Sequence, residues 1–367
     1  MKKINIICPT YRKNENEFLR KVGVLDLVYS VIGKDNIRLC IIDSSPQRLD
    51  LFKRKSVYSN IIYLHTPTKE EAFDRYKGVF PCMLDFCITR KHSKFYMYDS
   101  LISAWDNFIP WNEGYPITSS LNRQFSSERP SIGMKRNMAI AALEETFGSA
   151  DIVCYADDDD FRSENYFEYM AKMIQKNDFV RISKWFTCYF QPQPRNTIYG
   201  VHNLNLQKDY NGYYLIGTKD KKLYSSREVI GLSFSIEERF SKLIRLAFSP
   251  LSYEGAMHVY TMDLWKRSVK EFGGIPPISI AEDVLFFKQC EMYFGKEFCP
   301  SLIKNREYNF IRGAHNNTSI VEWTHSVEKS ILPLWAQNKI NFISATINSE
   351  ASLISFENKI KKILDEN

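Results

Sequence analysis

Four consecutive aspartates, Asp157 to Asp160, follow an apolar run at residues 152–156 and are the most distinctive chemical feature of the sequence. Side chains alternate between the two faces of an extended chain, so the first and third aspartates should share one side and the second and fourth the other. Neighbouring carboxylates repel one another unless a cation lies among them, and hard oxygen ligands suit Mg²⁺ or Mn²⁺. The run therefore predicts either a divalent-metal site at the end of a buried strand or a solvated acidic loop.

A second acidic pair, Glu282 and Asp283, follows a glycine- and proline-rich stretch at residues 273–277 and opens a helical pattern. A carboxylate held within hydrogen-bond reach of a hydroxyl can take its proton, which is general-base chemistry. An acidic pair is also common in the first turn of an ordinary helix, because the helix dipole favours negative charge there. The pair is thus a candidate base or a helix-start signal.

The elements that must position these acids alternate between strands and helices. In chain order they are a strand at 4–8, a helix at 15–32, strands at 37–42 and 60–65, and a helix at 131–147. Apolar β-branched runs indicate the strands, and apolar residues at helical spacing indicate the helices. The alternation predicts an α/β fold whose mostly parallel central sheet is flanked by helices, with ligands at the carboxyl ends of the strands.

Three segments fall outside this alternation. Residues 66–128 are aromatic and polar by turns, and we expect an inserted subdomain or short helices there, because a structureless loop of that length is improbable. Residues 178–255 carry aromatic, β-rich runs and predict a mixed β region with hairpins. Residues 321–367 predict a C-terminal helical tail. Within it, 344–364 has apolar residues at helical spacing with lysines beside them, which predicts first a packing helix and second a helix at a membrane surface.

Composition excludes several classes of protein. The 367 residues are 44% hydrophobic and 25% charged, as in a globular protein and unlike a disordered one. The net charge of +6 is modest and its cations are dispersed among 43 acids, so nothing demands a nucleic-acid partner. The eight cysteines form no Cys-x-x-Cys pair, and no apolar run approaches about 18 residues, so we expect a reduced, cytoplasmic protein.

Five landmarks follow one another along the chain: the opening from Ile6 to Arg12, Asp43, the segment from Gly133 to Asn137, the aspartate run, and Glu282-Asp283. In this order they resemble the landmarks of the inverting nucleotide-sugar glycosyltransferases of the GT-A fold, similar to glycosyltransferase family 2. The resemblance implies a Rossmann-like GT-A domain over residues 1–320, with 66–128 as an insertion and 178–255 on the acceptor side. It also implies a hexosyltransferase that moves a sugar from a nucleoside diphosphate donor, with UDP the commonest nucleotide, to a glycan or lipid-linked glycan in cell-surface polysaccharide synthesis.

The resemblance assigns roles to residues by their position. The nucleotide-sugar contacts fall on Pro9, Thr10, Tyr11, Arg12, Asp43, Gly133, Lys135, Arg136, Asn137, Asp157 and Asp158. A guanidinium is well shaped to meet a phosphate, which is the role implied for Arg136, and a surface helix charge is the alternative for that residue.

The acidic motif of this family has the pattern Asp-x-Asp and binds Mn²⁺ or Mg²⁺. That register implies Asp157 and Asp159 as the metal-binding pair here. Because four acids stand in a row, the register shifted by one, Asp158 and Asp160, stays open. His315 falls where several relatives supply a further metal ligand, and a structural histidine is the alternative.

Asp283 matches the catalytic base of the family, and Glu282 would orient the acceptor or support its loop. In this chemistry the base takes the proton of an acceptor hydroxyl as that hydroxyl attacks the anomeric carbon opposite the leaving diphosphate. A single displacement of this kind inverts the configuration of the sugar. The chain departs from the family in its insertion at 66–128 and at Asp43-Ser44-Ser45, which lacks the second acid often found after the first.

Two other functional classes stay open on the sequence. A nucleotidyltransferase acting on sugar phosphates also uses an α/β sheet with paired aspartates, but it would be expected to carry a glycine-rich phosphate loop where this chain has Pro9-Thr10-Tyr11-Arg12. A non-catalytic GT-A module that binds nucleotide sugars or glycans would not need Asp283. Peripheral contact with the inner face of the plasma membrane is a further expectation for the glycosyltransferase.

Overall fold

The computed structural model describes residues 2–12, 17–52, 55–68, 129–190, 199–203, 212–213, 224–225, 257–275, 282–305, 307, 309–314, 326–327 and 332–366. The strands are β1 Ile4–Thr10, β2 Ile37–Asp43, β3 Val57–Tyr58, β4 Ile61–His65, β5 Ile152–Tyr155, β6 Phe161–Arg162, β7 Phe179–Ile182, β8 Lys184–Tyr189, β9 Tyr199–Asn203, β10 Gly212–Tyr213, β11 Tyr224–Ser225, β12 Val259–Thr261, β13 Pro300–Ile303, β14 Phe310–Ala314 and β15 Ser326–Val327. The helices are α1 Phe18–Val31, α2 Ile132–Phe147, α3 Tyr166–Met173, α4 Met262–Phe272, α5 Glu282–Phe294, α6 Leu334–Ile347 and α7 Glu350–Glu366.

An eight-stranded sheet in the order β13-β7-β12-β5-β1-β2-β4-β3 forms the centre of the fold. The neighbours β5, β1, β2 and β4 are parallel, and β13 is parallel to β7, whereas β12 and β3 run antiparallel to the strands beside them. The α/β class with a mostly parallel central sheet flanked by helices is therefore confirmed. In the register, Thr10 pairs with Asp43 and Asp43 with His65, so three polar residues end at one edge of the sheet.

Each face of this sheet carries an apolar core. On one face Ile6 and Cys8 of β1 pack with buried residues of α1, α6 and α7. On the other face Ile7 packs with Met134 and Met138 of α2 and with apolar residues of α4 and α5. Alternate residues of β1 thus enter opposite cores, as a strand covered on both faces requires.

A second sheet has the order β15-β9-β8-β14-β6 and joins the central sheet close to the aspartate run. β6 begins at Phe161, directly after the last aspartate, and pairs antiparallel with β14. The mixed β region expected at 178–255 is present in the described parts of that range as β7 to β11, with β12 just beyond it. The insertion expected at 66–128 lies outside the described residues from 69 onward.

The C-terminal helical segment consists of two helices, α6 and α7, which pack on α1. Their apolar residues belong to the same core as β1, in agreement with the packing role expected for this segment. Ion pairs fasten both helices to α1, Lys21 to Glu357 at 2.6 Å and Asp26 to Lys339 at 2.6 Å. Among the described residues, none of the helices is both long and apolar enough to cross a membrane.

Candidate active site

The four aspartates form a turn, the acidic turn (residues 157–160), between β5 and β6 at the carboxyl end of the central sheet. Asp158 and Asp160 are 2% and 5% exposed, so both carboxylates lie inside the protein. Asp157 keeps 33% of its side chain exposed, and Asp159 is also partly exposed. The alternation expected of an extended chain thus continues into the turn, and the odd-numbered pair faces outward.

The carboxylate of Asp158 is held by two other elements of the fold. Thr10 at the end of β1 donates its hydroxyl to Oδ2 at 2.5 Å, and Arg20 of α1 donates Nη1 to Oδ1 at 2.8 Å. Burial raises the pKa of the Asp158 carboxyl above its ordinary value, and the Arg20 cation opposes that rise. Both oxygens therefore serve to fix the turn to β1 and α1.

Two glycines give the acidic turn its close backbone contacts. A Cβ atom added to Gly23 of α1 would lie 1.8 Å from the carbonyl oxygen of Asp158, and one added to Gly313 of β14 would lie 1.9 Å from that of Asp159. Only glycine allows such an approach. The Gly313 amide also donates to Oδ1 of Asp160 at 3.1 Å, so β14 holds the last aspartate of the turn.

Arg136 in the first turns of α2 connects the acidic turn with the acidic pair of α5. Its Nη2 donates to Oδ1 of Asp157 at 3.2 Å, and its Nη1 donates to Oε1 of Glu282 at 2.6 Å. The guanidinium also lies 3.9 Å from the centre of the Tyr155 ring, the last residue of β5. Arg136 is buried, which contradicts the alternative of a surface helix charge, and its guanidinium bridges two carboxylates.

Glu282 and Asp283 are the first two residues of α5, as expected. Glu282 is buried, and burial raises the pKa of its carboxyl to about 7, against the opposing effect of the Arg136 cation. Asp283 is partly exposed. Of the pair, Asp283 is therefore the more exposed carboxylate, while Glu282 is turned toward Arg136.

Lys135 and Asn137, on either side of Arg136, fasten other parts of the fold. The Lys135 ammonium donates to the carbonyl oxygen of Thr10 at 3.1 Å and to the hydroxyl of Ser44 at 3.2 Å, and burial lowers its pKa to about 8. The Asn137 amide exchanges hydrogen bonds with the backbone of Ile275 at 2.7 and 3.1 Å. Both side chains lie buried among protein groups, and the nucleotide contacts expected of them from the sequence stay a prediction.

Asp43 ends β2 in a dense network of hydrogen bonds. Its Oδ1 accepts from the amide and the hydroxyl of Ser45, and its Oδ2 accepts from the Tyr63 hydroxyl at 2.6 Å and from Arg12 at 3.4 Å. Burial beside this carboxylate raises the pKa of Tyr63. Asp43 itself is fully buried. Through Arg12 and Ser45 it holds together the rim, which is the edge of the central sheet formed by the residues at and just after the ends of β1 and β2.

The remaining residues of the expected nucleotide site lie on or near the same rim. Pro9 is buried near the end of β1, and Tyr11 follows that strand with its side chain partly exposed. The Arg129 guanidinium lies 4.0 Å from the centre of the Tyr11 ring. Gly133 is buried in the first turn of α2. The rim thus offers an aromatic ring and a cation next to β1.

The acidic turn supplies the donor atoms that a hard divalent cation prefers. Asp157 and Asp159 present partly exposed carboxylates, which suit Mn²⁺ or Mg²⁺. Within the described ranges, no cluster of three or more histidine, cysteine or acidic side chains has the arrangement of a complete metal site. His315, expected as a further ligand, lies outside the described residues.

Several residues of this region are missed by reasoning from the sequence. His65 ends β4 as Asp43 ends β2, and its Nε2 lies 2.8 Å from the carbonyl oxygen of Ser45. The rule that polar residues at strand ends meet at one edge would have found it. Arg20 gives no such signal, because its contact with Asp158 joins residues 138 positions apart.

Comparisons with known proteins give matches at the level of structure. A scan against protein-family models and a search of curated proteins find no match. In fold, the chain is similar to S. aureus TarS 1-349 in complex with UDP-GlcNAc, with 12% identity, a TM-score of 0.40, and coverage of 94% of this chain and 66% of that one. It is also similar to glucosyl-3-phosphoglycerate synthase from Mycobacterium tuberculosis in complex with Mn²⁺, UDP and glucosyl-3-phosphoglycerate, with 12% identity, a TM-score of 0.37, and coverage of 97% and 80%. The chain spans 37% to 66% of the TarS structures it matches. These likenesses concern the course of the chain, and the side chains described above carry the functional proposal.

Proposed function

We propose that this protein is an inverting, divalent-metal-dependent glycosyltransferase of the GT-A type, similar to family 2, with a nucleoside diphosphate sugar as donor. The observation that carries the proposal is the link between two carboxylate groups. Asp157 of the acidic turn shares one buried guanidinium with Glu282, the neighbour of Asp283. The proposed reaction needs a metal-binding carboxylate close to a general base. Arg136 links the residues proposed for these two roles.

Asp157 and Asp159 are the proposed metal-binding pair. Their partial exposure supports the Asp-x-Asp register over the shifted one, because Asp158 and Asp160 are buried and engaged with Arg20, Thr10 and Gly313. Bound there, Mn²⁺ or Mg²⁺ would neutralise the negative charge that builds up on the departing diphosphate.

Asp283 is the proposed general base. Its partly exposed carboxylate would accept the proton of the acceptor hydroxyl, while the hydroxyl oxygen forms the bond to the anomeric carbon. The bond from that carbon to the diphosphate oxygen breaks on the opposite face and leaves its electron pair on the nucleoside diphosphate. Glu282, held by Arg136, would keep the start of α5 in place for this step.

The rim formed by β1 and β2 is the proposed site of the nucleoside. Tyr11 and Arg12 follow β1 there, and the Arg12 amide donates to the hydroxyl of Ser45 at 2.9 Å. The buried ammonium of Lys135 adds positive charge at the ends of β1 and β2. UDP is the expected nucleotide, and a hydroxyl of a glycan or lipid-linked glycan is the expected acceptor.

A thermal-shift and calorimetric screen of nucleoside diphosphates with Mn²⁺ tests the proposal. A ligand that binds only the folded state at 100 times its Kd stabilises that state by about 2.7 kcal/mol, which such a screen detects. We expect UDP with Mn²⁺ to stabilise the wild type and the Asp263→Asn control, which changes an aspartate 77% exposed in α4. We expect the stabilisation to disappear in Asp159→Asn.

Two further results separate the proposal from its alternatives. Asp283→Asn should bind UDP and Mn²⁺ normally. With water in place of the acceptor hydroxyl, it should release UDP from a UDP-sugar at least 100-fold more slowly, because only the base is changed. A binding module would show no turnover in the wild type, and a nucleotidyltransferase would release pyrophosphate from UTP and a sugar phosphate. No stabilisation by any nucleoside diphosphate, with or without metal, would contradict the proposed function.

A further inference from the structure

Two consecutive side chains of α2 hold the chain on both sides of residues 276–281. Asn137 donates Nδ2 to the carbonyl oxygen of Ile275 at 2.7 Å, and its Oδ1 accepts from the Ile275 amide at 3.1 Å. Arg136 donates Nη1 to Glu282 at 2.6 Å. The last described residue before this stretch and the first one after it are therefore fastened to adjacent positions of one helix.

The contacts of Asn137 leave its amide facing protein backbone. Its Oδ1 also accepts from Nε1 of Trp265 in α4 at 3.0 Å. A Cβ atom added to Gly274 would lie 2.7 Å from that oxygen, and Gly274 has a φ of +81°, a conformation that favours glycine. The backbone of residues 274–275 thus lies directly on the amide, in a position that another residue type would have to leave.

The contacts of Arg136 have a geometry that only a guanidinium provides. One planar group donates to Asp157 and to Glu282 while its face lies on the Tyr155 ring. A lysine ammonium carries the same charge but lacks the planar fork that fits two carboxylates and a ring at once. Arg136 is therefore a direct link between Glu282 and the acidic turn.

We propose that Arg136 and Asn137 are positioning residues that set where Asp283 stands relative to the acidic turn, without contacting donor or acceptor. The inference rests on the proposed function for the roles of Asp157 and Asp283. It replaces the nucleotide contacts expected of Arg136 and Asn137 from the sequence. It also gives the two halves of the site a physical connection, since both are fixed to neighbouring residues of α2.

Three variants test this inference. Asn137→Ala removes the hydrogen bonds to Ile275, and Arg136→Lys keeps the charge but cannot bridge both carboxylates. Trp265→Phe is the matched control, because it removes one hydrogen bond to Asn137 and leaves Ile275 bound. Each variant is measured by amide hydrogen exchange at residues 282–290, by the affinity for UDP with Mn²⁺, and by the rate of UDP release from a UDP-sugar.

We expect the first turn of α5 to exchange at least tenfold faster in Asn137→Ala and in Arg136→Lys. In Asn137→Ala the Kd for UDP with Mn²⁺ should change less than threefold while kcat falls at least tenfold, because donor binding is intact and the base is displaced. Trp265→Phe should stay within twofold of the wild type in all three measurements. This division between kcat and affinity is not expected from a general loss of stability.

A tenfold weaker Kd in Asn137→Ala with unchanged exchange in α5 would overturn the inference, since it would indicate a direct contact with the nucleotide. If Asn137→Ala does not fold, Asn137→Asp takes its place, because it can still accept from Ile275 and Trp265 but cannot donate to the Ile275 carbonyl. Absence of nucleotide binding in the wild type would contradict the proposed function alone. The exchange measurement would then decide by itself whether Arg136 and Asn137 anchor α5.

Discussion

The rim after β2 and the turn after β5 use the same residue type in opposite ways. Asp43 is fully buried, and its carboxylate accepts hydrogen bonds from Ser45, Tyr63 and Arg12. Asp157 is partly exposed and shares a guanidinium with another carboxylate. An aspartate at the end of a parallel strand is therefore not a ligand by position alone. The number of protein donors around it decides how much of its carboxylate remains exposed.

The largest effect on stability should come from breaking the hydrogen bonds of Asp43 at the rim. Asp43→Asn leaves Arg12 buried without its carboxylate, so we expect the free energy of unfolding to fall by about 3–5 kcal/mol. Urea denaturation followed by circular dichroism measures the change. A loss below about 1 kcal/mol would show that the rim does not depend on this charge, and the contrast with the acidic turn would fail.

The backbone contacts of the acidic turn can be tested with one methyl group. Gly313→Ala places a Cβ atom against the carbonyl oxygen of Asp159, so we expect a loss of about 1–3 kcal/mol through overpacking. The displaced turn should also weaken the binding of UDP with Mn²⁺. Full stability together with unchanged binding would mean that the turn has room to move, contrary to the close approach in the structure.

The pH dependence of stability tests the buried cation at the rim. Burial lowers the pKa of Lys135 from 10.5 to about 8, so between these values the unfolded chain binds more protons than the folded one. The free energy of unfolding should therefore rise with pH across this window, by roughly 1–3 kcal/mol relative to Lys135→Met. Parallel urea titrations of both proteins at pH 7.5 to 10.5 measure the difference. A constant difference would contradict the shifted pKa.

The smallest effect on stability should come from a substitution of Asp157 in the acidic turn. Asp157→Asn removes a partly exposed carboxylate, and its partner Arg136 keeps its ion pair with Glu282. We therefore expect the free energy of unfolding to change by less than about 1 kcal/mol. The same variant should bind UDP with Mn²⁺ at least tenfold more weakly. A large loss of stability with unchanged metal binding would reverse the roles of the two regions.

The sequence predicts the parts of this site that depend on local patterns. The apolar run before Asp157 and the acidic pair that opens α5 are visible without a structure, and both occupy the expected elements. The choice between the two faces of the aspartate run is not local. It depends on Arg20 and Thr10, which approach Asp158 from distant parts of the chain.

The sequence also does not reveal which groups the polar side chains of α2 contact. Lys135, Arg136 and Asn137 are consecutive in the predicted nucleotide-binding segment, and a helix points consecutive residues about 100° apart. Their side chains therefore go to the ends of β1 and β2, to two carboxylates, and to the backbone of Ile275, respectively. Only the fold reveals which element stands in each direction.

The packing of α6 and α7 on α1 has a consequence for synthesis on the ribosome. Arg20 and Gly23 of α1 contact the acidic turn. α1 is itself held by contacts that include the hydrogen bond from Lys339 to Asp26, two residues 313 positions apart. At about 5–20 residues per second, the partner helices emerge roughly 15–60 s after α1. The contacts of α1 with α6 and α7 should therefore form late in synthesis, and on the proposed function so should the complete metal and nucleotide site.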